Sequence, residues 1–356
     1  MKIALINDTH AGARGDNPVF NEFFFKFWEN TFFPYLKENN ITTICHLGDV
    51  VDRRKFINFV TLNSWRKRFF DRIRDEGITM HVIVGNHDVT YKNSNDLNAM
   101  HELFNHYDNV HIYTTPQDLT FDELQIAMVP WINSENYEQS MKFLTDTTSQ
   151  IVFGHFEIAG FEMDRGNVCH GGMNRETFNR FDMVMSGHFH HKSNEGSIYY
   201  LGNQYEMTWA DYGDVRGFHV FDTETRDLDF ISNLNRIFYK ITYDDTIQDI
   251  EHWKNFDYRD YKDTYIKVIV VTKQNPYIFD MMLDNLYKAG VLDVSIIEDF
   301  SDILEEENDE NVDEAEDTLT ILNKFIDNMK LDVDNDKLKS HMRELYVEAL
   351  NLQRTE

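Results

Sequence analysis

The sequence predicts a layered α/β protein, and two observations carry that expectation. Apolar, strand-like runs alternate with helical patterns from residue 1 to about residue 235, as βα units do. Five of those runs also end at once in metal-ligand types of residue. Run 3–7 leads into Asp8 and His10, and run 43–47 into Gly48, Asp49 and Asp52. Run 81–84 leads into Gly85, Asn86, His87 and Asp88; run 150–153 into Gly154 and His155; run 183–185 into Gly187, His188 and His190. A buried strand followed directly by Asp, Asn or His places that side chain at the strand's carboxyl end, where ligands collect in open α/β sheets.

Taken in order, the first helix is announced by Asn17 and Pro18. It carries Phe20, Phe23, Phe24 and Phe27 at helical spacing, a stripe that reads as core, and Pro34 is expected to kink or end it. A second helix is expected over 58–76, and strands over 197–201, 217–222 and 228–231. From about 236 the pattern changes. Strand-like stretches at 238–243 and 265–271, a helix at 277–289 and a strand at 293–297 form a small α+β module with no ligand-type motif. Residues 299–317 hold eleven Asp and Glu and no Lys or Arg, which reads as a solvated acidic linker because like charges at that density extend a chain.

Residues 318–356 carry two amphipathic helical patterns. Leu319, Leu322, Phe325, Ile326 and Met329 line the first, and Leu338, Met342, Leu345, Ala349 and Leu352 the second. Isolated helices of fewer than about 12–15 residues are marginal in water, so this pair needs a surface to bury against, and a partner protein is the expectation. The domain organisation is therefore 1–235, 236–298, 299–317 and 318–356.

At 356 residues and 42% hydrophobic, the chain can bury a large core. No apolar stretch approaches the roughly 20 residues needed to span a bilayer, and the N-terminus lacks a signal-peptide pattern. Cys45 and Cys169 are far apart, lie in no CxxC pattern and read as reduced cytoplasmic thiols, Cys45 packed inside its strand. The formal net charge of −28 argues at first against nucleic acid, but it is uneven. Residues 53–74 hold eight basic side chains (Arg53, Arg54, Lys55, Arg66, Lys67, Arg68, Arg72, Arg74) against a single Asp71. A solvated helix face and a phosphate-backbone contact are equal readings of that cluster.

The ligand-type set is carboxylate, imidazole and one amide, with no thiolate. That excludes a structural zinc knot and suits manganese, iron, magnesium or catalytic zinc. A pair of ions about 3.5–4 Å apart can clamp both the attacking and the leaving oxygen of a phosphate ester, and Asp49 is the natural bridging ligand.

The ordered pattern D-x-H, GD-x-x-D, GNHD, GH, GH-x-H resembles that of the calcineurin-like metallophosphoesterase superfamily. Within it the chain is most similar to the SbcD-type nuclease subunit that partners a coiled-coil ABC ATPase in double-strand-break repair, a type found in T-even bacteriophages. The likeness extends through GNHDVTYKN, VPWINSEN, GHFEIAG, SGHFHH, RGFHVFDTET and LYVEAL, and is weakest across 245–317.

What the resemblance implies is specific. The fold would be a β-sandwich flanked by helices, with 236–298 as a capping, DNA-binding domain. One metal would take Asp8, His10, Asp49 and His190, and the other Asp49, Asn86, His155 and His188. His87 would approach the scissile phosphate, with Asp88 orienting its imidazole. On the phosphate-backbone reading of the basic cluster, which comes from its position and not from the resemblance, Arg53, Arg54 and Lys55 would contact DNA. The activity would be 3′–5′ exonuclease on duplex DNA and endonuclease on single strands, in recombination, repair and replication. It would use manganese, with magnesium as the alternative, in a homodimer. Leu319, Leu322, Phe325, Leu338, Met342 and Leu345 would grip the ATPase. Some cellular relatives have His near the position of Asp52; the Asp here removes that substrate contact and suits a bond to a ligand or a salt bridge with Arg53. A phosphomonoesterase or cyclic-nucleotide phosphodiesterase is the rival enzyme, and a scaffold that has lost its chemistry the rival non-enzyme.

Overall fold

The computed structural model describes residues 1–164 and 166–298. The expected acidic linker 299–317 and the two helices of 318–356, with Leu319, Leu322, Phe325, Leu338, Met342 and Leu345, lie outside the described residues.

Two six-stranded sheets form the frame. The first runs Leu228–Ser232, Gly217–Asp222, Lys2–Ile6, Thr43–His46, Thr79–Ile83, Val110–Tyr113. Its last four strands are parallel and its first two antiparallel. The second runs Ser193–Glu195, Ile198–Tyr200, Met183–Gly187, Ile151–His155, Leu124–Val129, Gln117–Phe121, parallel in its middle and antiparallel at both edges.

Strand alternation sorts the side chains into layers. Ile3, Leu5, Cys45, Leu47 and Ile83 of the first sheet meet Ile126, Met128, Ile151, Phe153 and Met185 of the second in one buried cluster between the sheets. The intervening residues Ala4, Ile6, Ile44, Met80 and Val82 face the helices outside the first sheet, and Ala127, Val129, Val152 and Val184 face the outer side of the second. This is the period-two pattern of strands buried on both faces, and it gives the layered α/β architecture expected from the sequence.

The Phe20, Phe23, Phe24 and Phe27 stripe is core, with Trp28, Phe32, Trp65, Phe69 and Phe70. Phe24 stacks on Tyr205 at 3.9 Å, and Phe70 on Phe104 at 3.9 Å. At about 1.5–3 kcal/mol for each large apolar side chain buried, this aromatic layer is a main source of stability. Pro34 does not end the first helix. Pro18–Phe27 passes through a wide π turn, Trp28–Phe32, into Phe33–Glu38. Proline lacks the N–H that an α turn would use and crowds the preceding turn; the wider turn just before it relieves that conflict. The second helix likewise has a π segment, Arg66–Phe70, between Phe59–Trp65 and Asp71–Asp75.

Beyond residue 236, Phe238–Asp244, Tyr265–Thr272 and Asp293–Ile297 form a three-stranded sheet. It is backed by the helices Ile250–Asn255 and Pro276–Ala289. The longer helix begins with the Asn275 side chain accepting from the Tyr277 N–H and with Pro276 at its first position, and Gly290 (φ 89°) closes it. This sheet has its own core around Tyr243, Trp253, Phe279, Met282 and Leu286. Phe238 and Tyr265 also pack on Phe20, and the buried Glu206 carboxylate accepts from the Ile237 and Phe238 N–H groups.

Among the described residues no helix is long and apolar enough to cross a membrane.

Candidate metal centre

The carboxyl ends of strands from both sheets meet at one place. Asp8 and His10 follow Lys2–Ile6, Asp49 follows Thr43–His46, and Asn86 and His87 follow Thr79–Ile83, all in the first sheet. His155 closes Ile151–His155, and His188 and His190 follow Met183–Gly187, in the second. Four of these residues hold a left-handed backbone: Asp8 (φ 48°), His10 (43°), Asp49 (59°) and His188 (87°). Such turns cost roughly 1–2 kcal/mol for an L-residue, and Asp and His are among the types that tolerate them. The turns swing each side chain inward from its strand end. Gly85 is required for a different reason: a Cβ there would overlap the Asp49 carboxylate and its N–H.

Three overlapping clusters result: Asp8, His10 and His190; His10, Asp49 and His87; and Asp49, His155 and His188, with ligand atoms of each within 4.8 Å of one another. His10 Nε2 faces His190 Nε2 at 3.1 Å and lies 3.9 Å from Asp8 Oδ1 and 4.0 Å from Asp49 Oδ2. His155 Nε2 is 3.3 Å from Asp49 Oδ2 and 2.9 Å from Asn86 Oδ1, and His188 Nδ1 is 3.0 Å from the same amide oxygen. All seven residues expected as ligands (Asp8, His10, Asp49, Asn86, His155, His188, His190) are thus brought together, with Asp49 between the two groups.

Outer contacts aim the rings. His155 Nδ1 bonds the Leu47 carbonyl at 2.7 Å, leaving Nε2 for the cluster. Asp52 Oδ1 is 3.5 Å from His10 Nδ1, so of the two contacts expected of Asp52 the structure contains the one to a candidate ligand. Arg53 pairs instead with Asp16.

Electrostatically the centre is a buried balance of opposite charges. Burial works against charge on His10, but the nearby Asp52 and Asp49 carboxylates outweigh it and raise the imidazole to about 9. His155 is likewise raised to about 9, burial being overcome by the Asp49 carboxylate. Burial, with His155 beside it, pushes His188 down to about 3. Burial also opposes charge on Asp49, but His155 and His87 hold it well below the usual carboxylate range.

Asp88 and His87 differ from expectation in one respect. Asp88 does not orient the His87 ring. Its Oδ1 accepts from the Val50 and Val51 N–H groups and its Oδ2 from those of Asp49 and Gly85, at 2.8–3.1 Å. It clamps the Asp49 loop onto the Gly85 loop, and both oxygens are used in doing so. The His87 ring is held by the Asp52 carbonyl, 2.5 Å from Nδ1, while the His87 main-chain N–H donates to Asp49 Oδ1 at 2.7 Å. His87 is half-buried, with its ring edge-on to His10 at 4.8 Å.

The basic cluster 53–74 divides. Arg68, Arg72 and Arg74 bond Glu22 and Glu29, Glu76, and Asp71 and Asp75 respectively, and lie over Phe25, Phe33 and Tyr107. For these three the solvated, ion-paired face is the right reading. Among Arg53, Arg54 and Lys55, Lys55 is exposed and Arg54 half-buried, close to the Asp49 loop.

Two supporting groups were not anticipated. Arg216 is 4% exposed, and it donates to Asp211 Oδ1 (2.7 Å), Asp214 Oδ2 (3.1 Å), Asn203 Oδ1 and the His190 carbonyl. It ties down the loop that presents His190, and its only sequence signal was its place in RGFHVFDTET. Trp131, from VPWINSEN, sets its ring 5.2 Å from that of His188.

Residues 1–192 match the family model described as calcineurin-like phosphoesterase. Over 352 residues the chain is 30% identical to exonuclease subunit 1 of Enterobacteria phage T4, covering 98% of this chain and 99% of that protein. Among solved structures, an archaeal phosphodiesterase aligns with a TM-score of 0.33 at 14% identity, over 65% of this chain and 100% of its own. The Pseudomonas putida nuclease MPE aligns with a TM-score of 0.29 at 16% identity, over 61% of this chain and 83% of its own.

Proposed function

The chain belongs to the calcineurin-like phosphoesterase family, and from that premise we propose that it is a two-metal DNA phosphodiesterase, the nuclease subunit of a nuclease–ATPase complex. The observation that carries this reading is the meeting of seven oxygen and nitrogen donors in two groups that share Asp49. Full-length similarity to a phage exonuclease subunit supports DNA as substrate and a partner subunit.

The donor set fits divalent cations. Asp8 and Asp49 are almost wholly buried, and the His10 and His190 Nε2 atoms point at each other. Buried carboxylates and convergent imidazoles form a donor set that suits a divalent cation. Asp8, His10, Asp49 and His190 would hold one ion, and Asp49, Asn86, His155 and His188 the other, with manganese the proposed metal. Ions so held supply positive charge to the oxygens of a phosphodiester and acidify water.

The remaining chemistry belongs to the chain. His87 Nδ1–H donates to the Asp52 carbonyl, so Nε2 is the atom that can meet substrate. There it bonds a phosphate oxygen or passes a proton to the departing one. Asp88 holds the Asp49 and Gly85 loops in register, a positioning role. Lys55 and Arg54 would contact the DNA backbone.

Phe56, Phe59 and Val60 are 63%, 85% and 73% exposed just beyond the Asp49 loop. An apolar patch of that kind supports a homodimer formed beside the active site. The exonuclease and single-strand endonuclease activities, the roles in recombination, repair and replication, and ATPase capture by 318–356 follow the same reading.

The test is manganese-dependent degradation of linear duplex and single-stranded DNA, set against hydrolysis of p-nitrophenyl phosphate. DNA cleavage lost in both Asp49→Asn and His87→Ala, with folding intact, is the expected result. Full activity in either variant, or preference for the monoester, overturns the proposal.

A further inference from the structure

A cavity of about 330 Å³ opens beside the metal centre, and His155 lines both. Its walls are Trp131, Tyr137, Met141 and Met173, with Glu157 and Asn174 among the polar lining groups. We propose that this cavity is a subsite for one nucleobase of the substrate, unstacked from its neighbours, with Trp131 as its stacking face. The proposal rests on the nuclease reading above and deepens it: the strand must be unpaired where it is cut.

Four observations carry it. The cavity lies within one ring of the ligands, since Trp131 is 5.2 Å from His188 and 6.0 Å from His155, ring to ring. A phosphate held at the centre therefore leaves its own nucleoside within reach. The lining suits a base and not a second phosphate: among the described residues it contains no Lys or Arg and one carboxylate, Glu157.

The segment that carries the ring is pinned, and the ring itself packs against the aromatic core of the first sheet. The Trp131 main-chain N–H donates to the Val84 carbonyl at 2.9 Å, and its main-chain carbonyl accepts from Asn95 Nδ2 (2.9 Å) and Asn136 Nδ2 (3.0 Å). A surface fixed before binding loses little entropy on receiving a flat ring. Glu157 adds an acceptor at the rim, with Oε2 4.0 Å from His188 Nε2, and a carboxylate there can take the amino edge of a base. Bases stack on such platforms without strong sequence preference. A base lodged here cannot be paired, and unpairing costs least at frayed ends and in single strands.

The test uses the full chain loaded with manganese and three diesters: deoxycytidine 5′-(p-nitrophenyl phosphate), deoxycytidine 3′-(p-nitrophenyl phosphate) and methyl p-nitrophenyl phosphate. One of the nucleoside esters should exceed the methyl ester by about tenfold or more in kcat/KM, the scale of one base–aromatic stack. Trp131→Ala should bring that ratio below about twofold, and Trp131→Phe, which keeps a ring, should retain most of it. Because the ratio is the readout, general damage to the centre cancels.

A second readout needs no metal. Deoxycytidine 5′-monophosphate should quench the tryptophan emission of the ion-free protein, and Trp131→Ala should abolish the quenching. Equal turnover of the three diesters, or an advantage that survives Trp131→Ala, overturns the subsite and leaves the nuclease reading standing. No turnover of any diester overturns both.

Discussion

Replacing Arg216 with Met tests how the centre is supported from outside. The guanidinium is buried and satisfies two carboxylates, a side-chain amide and the His190 carbonyl at once. Methionine keeps the aliphatic stem but leaves Asp211 and Asp214 without their cation. Removing one partner of a buried pair costs about 3–5 kcal/mol. The compact unit spans Met1–Ile296. An unfolding entropy of about 2.1 cal/mol/K per residue then gives about 0.6 kcal/mol/K, so the melting temperature should fall by about 5–8 °C. Arg226→Met is the matched control. Arg226 pairs with Asp182 at 2.9 Å, but the two side chains are 41% and 51% exposed, and such a pair contributes about 1 kcal/mol at most. Both variants would be melted by differential scanning calorimetry with chelator present, so that only protein contacts are measured. Manganese binding by titration calorimetry should then weaken in Arg216→Met alone, because the His190 loop has lost its tether. A melting temperature for Arg216→Met within 2 °C of wild type would refute the argument.

Three further outcomes are expected. Asp49→Ala and Asp49→Asn should both lose activity, but only the alanine variant also carries a left-handed backbone penalty, so chemical denaturation should find it less stable by roughly 1 kcal/mol; equal stability contradicts the strained turn. Phe59→Glu should shift the mass measured by light scattering from dimer to monomer while the far-ultraviolet spectrum is unchanged, and a persistent dimer removes that patch from the interface. A chain lacking 318–356 should bind manganese with unchanged affinity and fail to co-purify with a coiled-coil ATPase; retained association places the partner contact elsewhere.

Much of this architecture was legible because buried strands announce themselves. Apolar runs such as 43–47 and 81–84 mark strands covered on both faces, and the polar residue that ends each run marks the site. The aromatic stripe from Phe20 to Phe27 was equally plain, since its spacing leaves one face for packing. Other features depend on long-range geometry that no local pattern encodes. The π turn before Pro34 is one, because proline alone signals a kink or an end and not which of the two. The role of Asp88 is another. The resemblance implied that it oriented the His87 ring, whereas the turn points its carboxylate back at four main-chain amides. Arg216 acts on a loop some 26 residues away in sequence, so nothing near it hints at its target. The basic run at 53–74 left two readings open for a related reason: the carboxylates of Glu22 and Glu29 that neutralise Arg68 arrive from the preceding helix.

The donors are divided between the two sheets, with Asp8, His10, Asp49 and Asn86 on one and His155, His188 and His190 on the other. No fragment containing a single layer can reconstitute the centre, and any breathing motion that parts the layers dissolves it while each sheet stays whole. Cations seated there would act as rivets across the seam, so chelation should loosen the joint between the layers and leave the interior of each layer as protected as before.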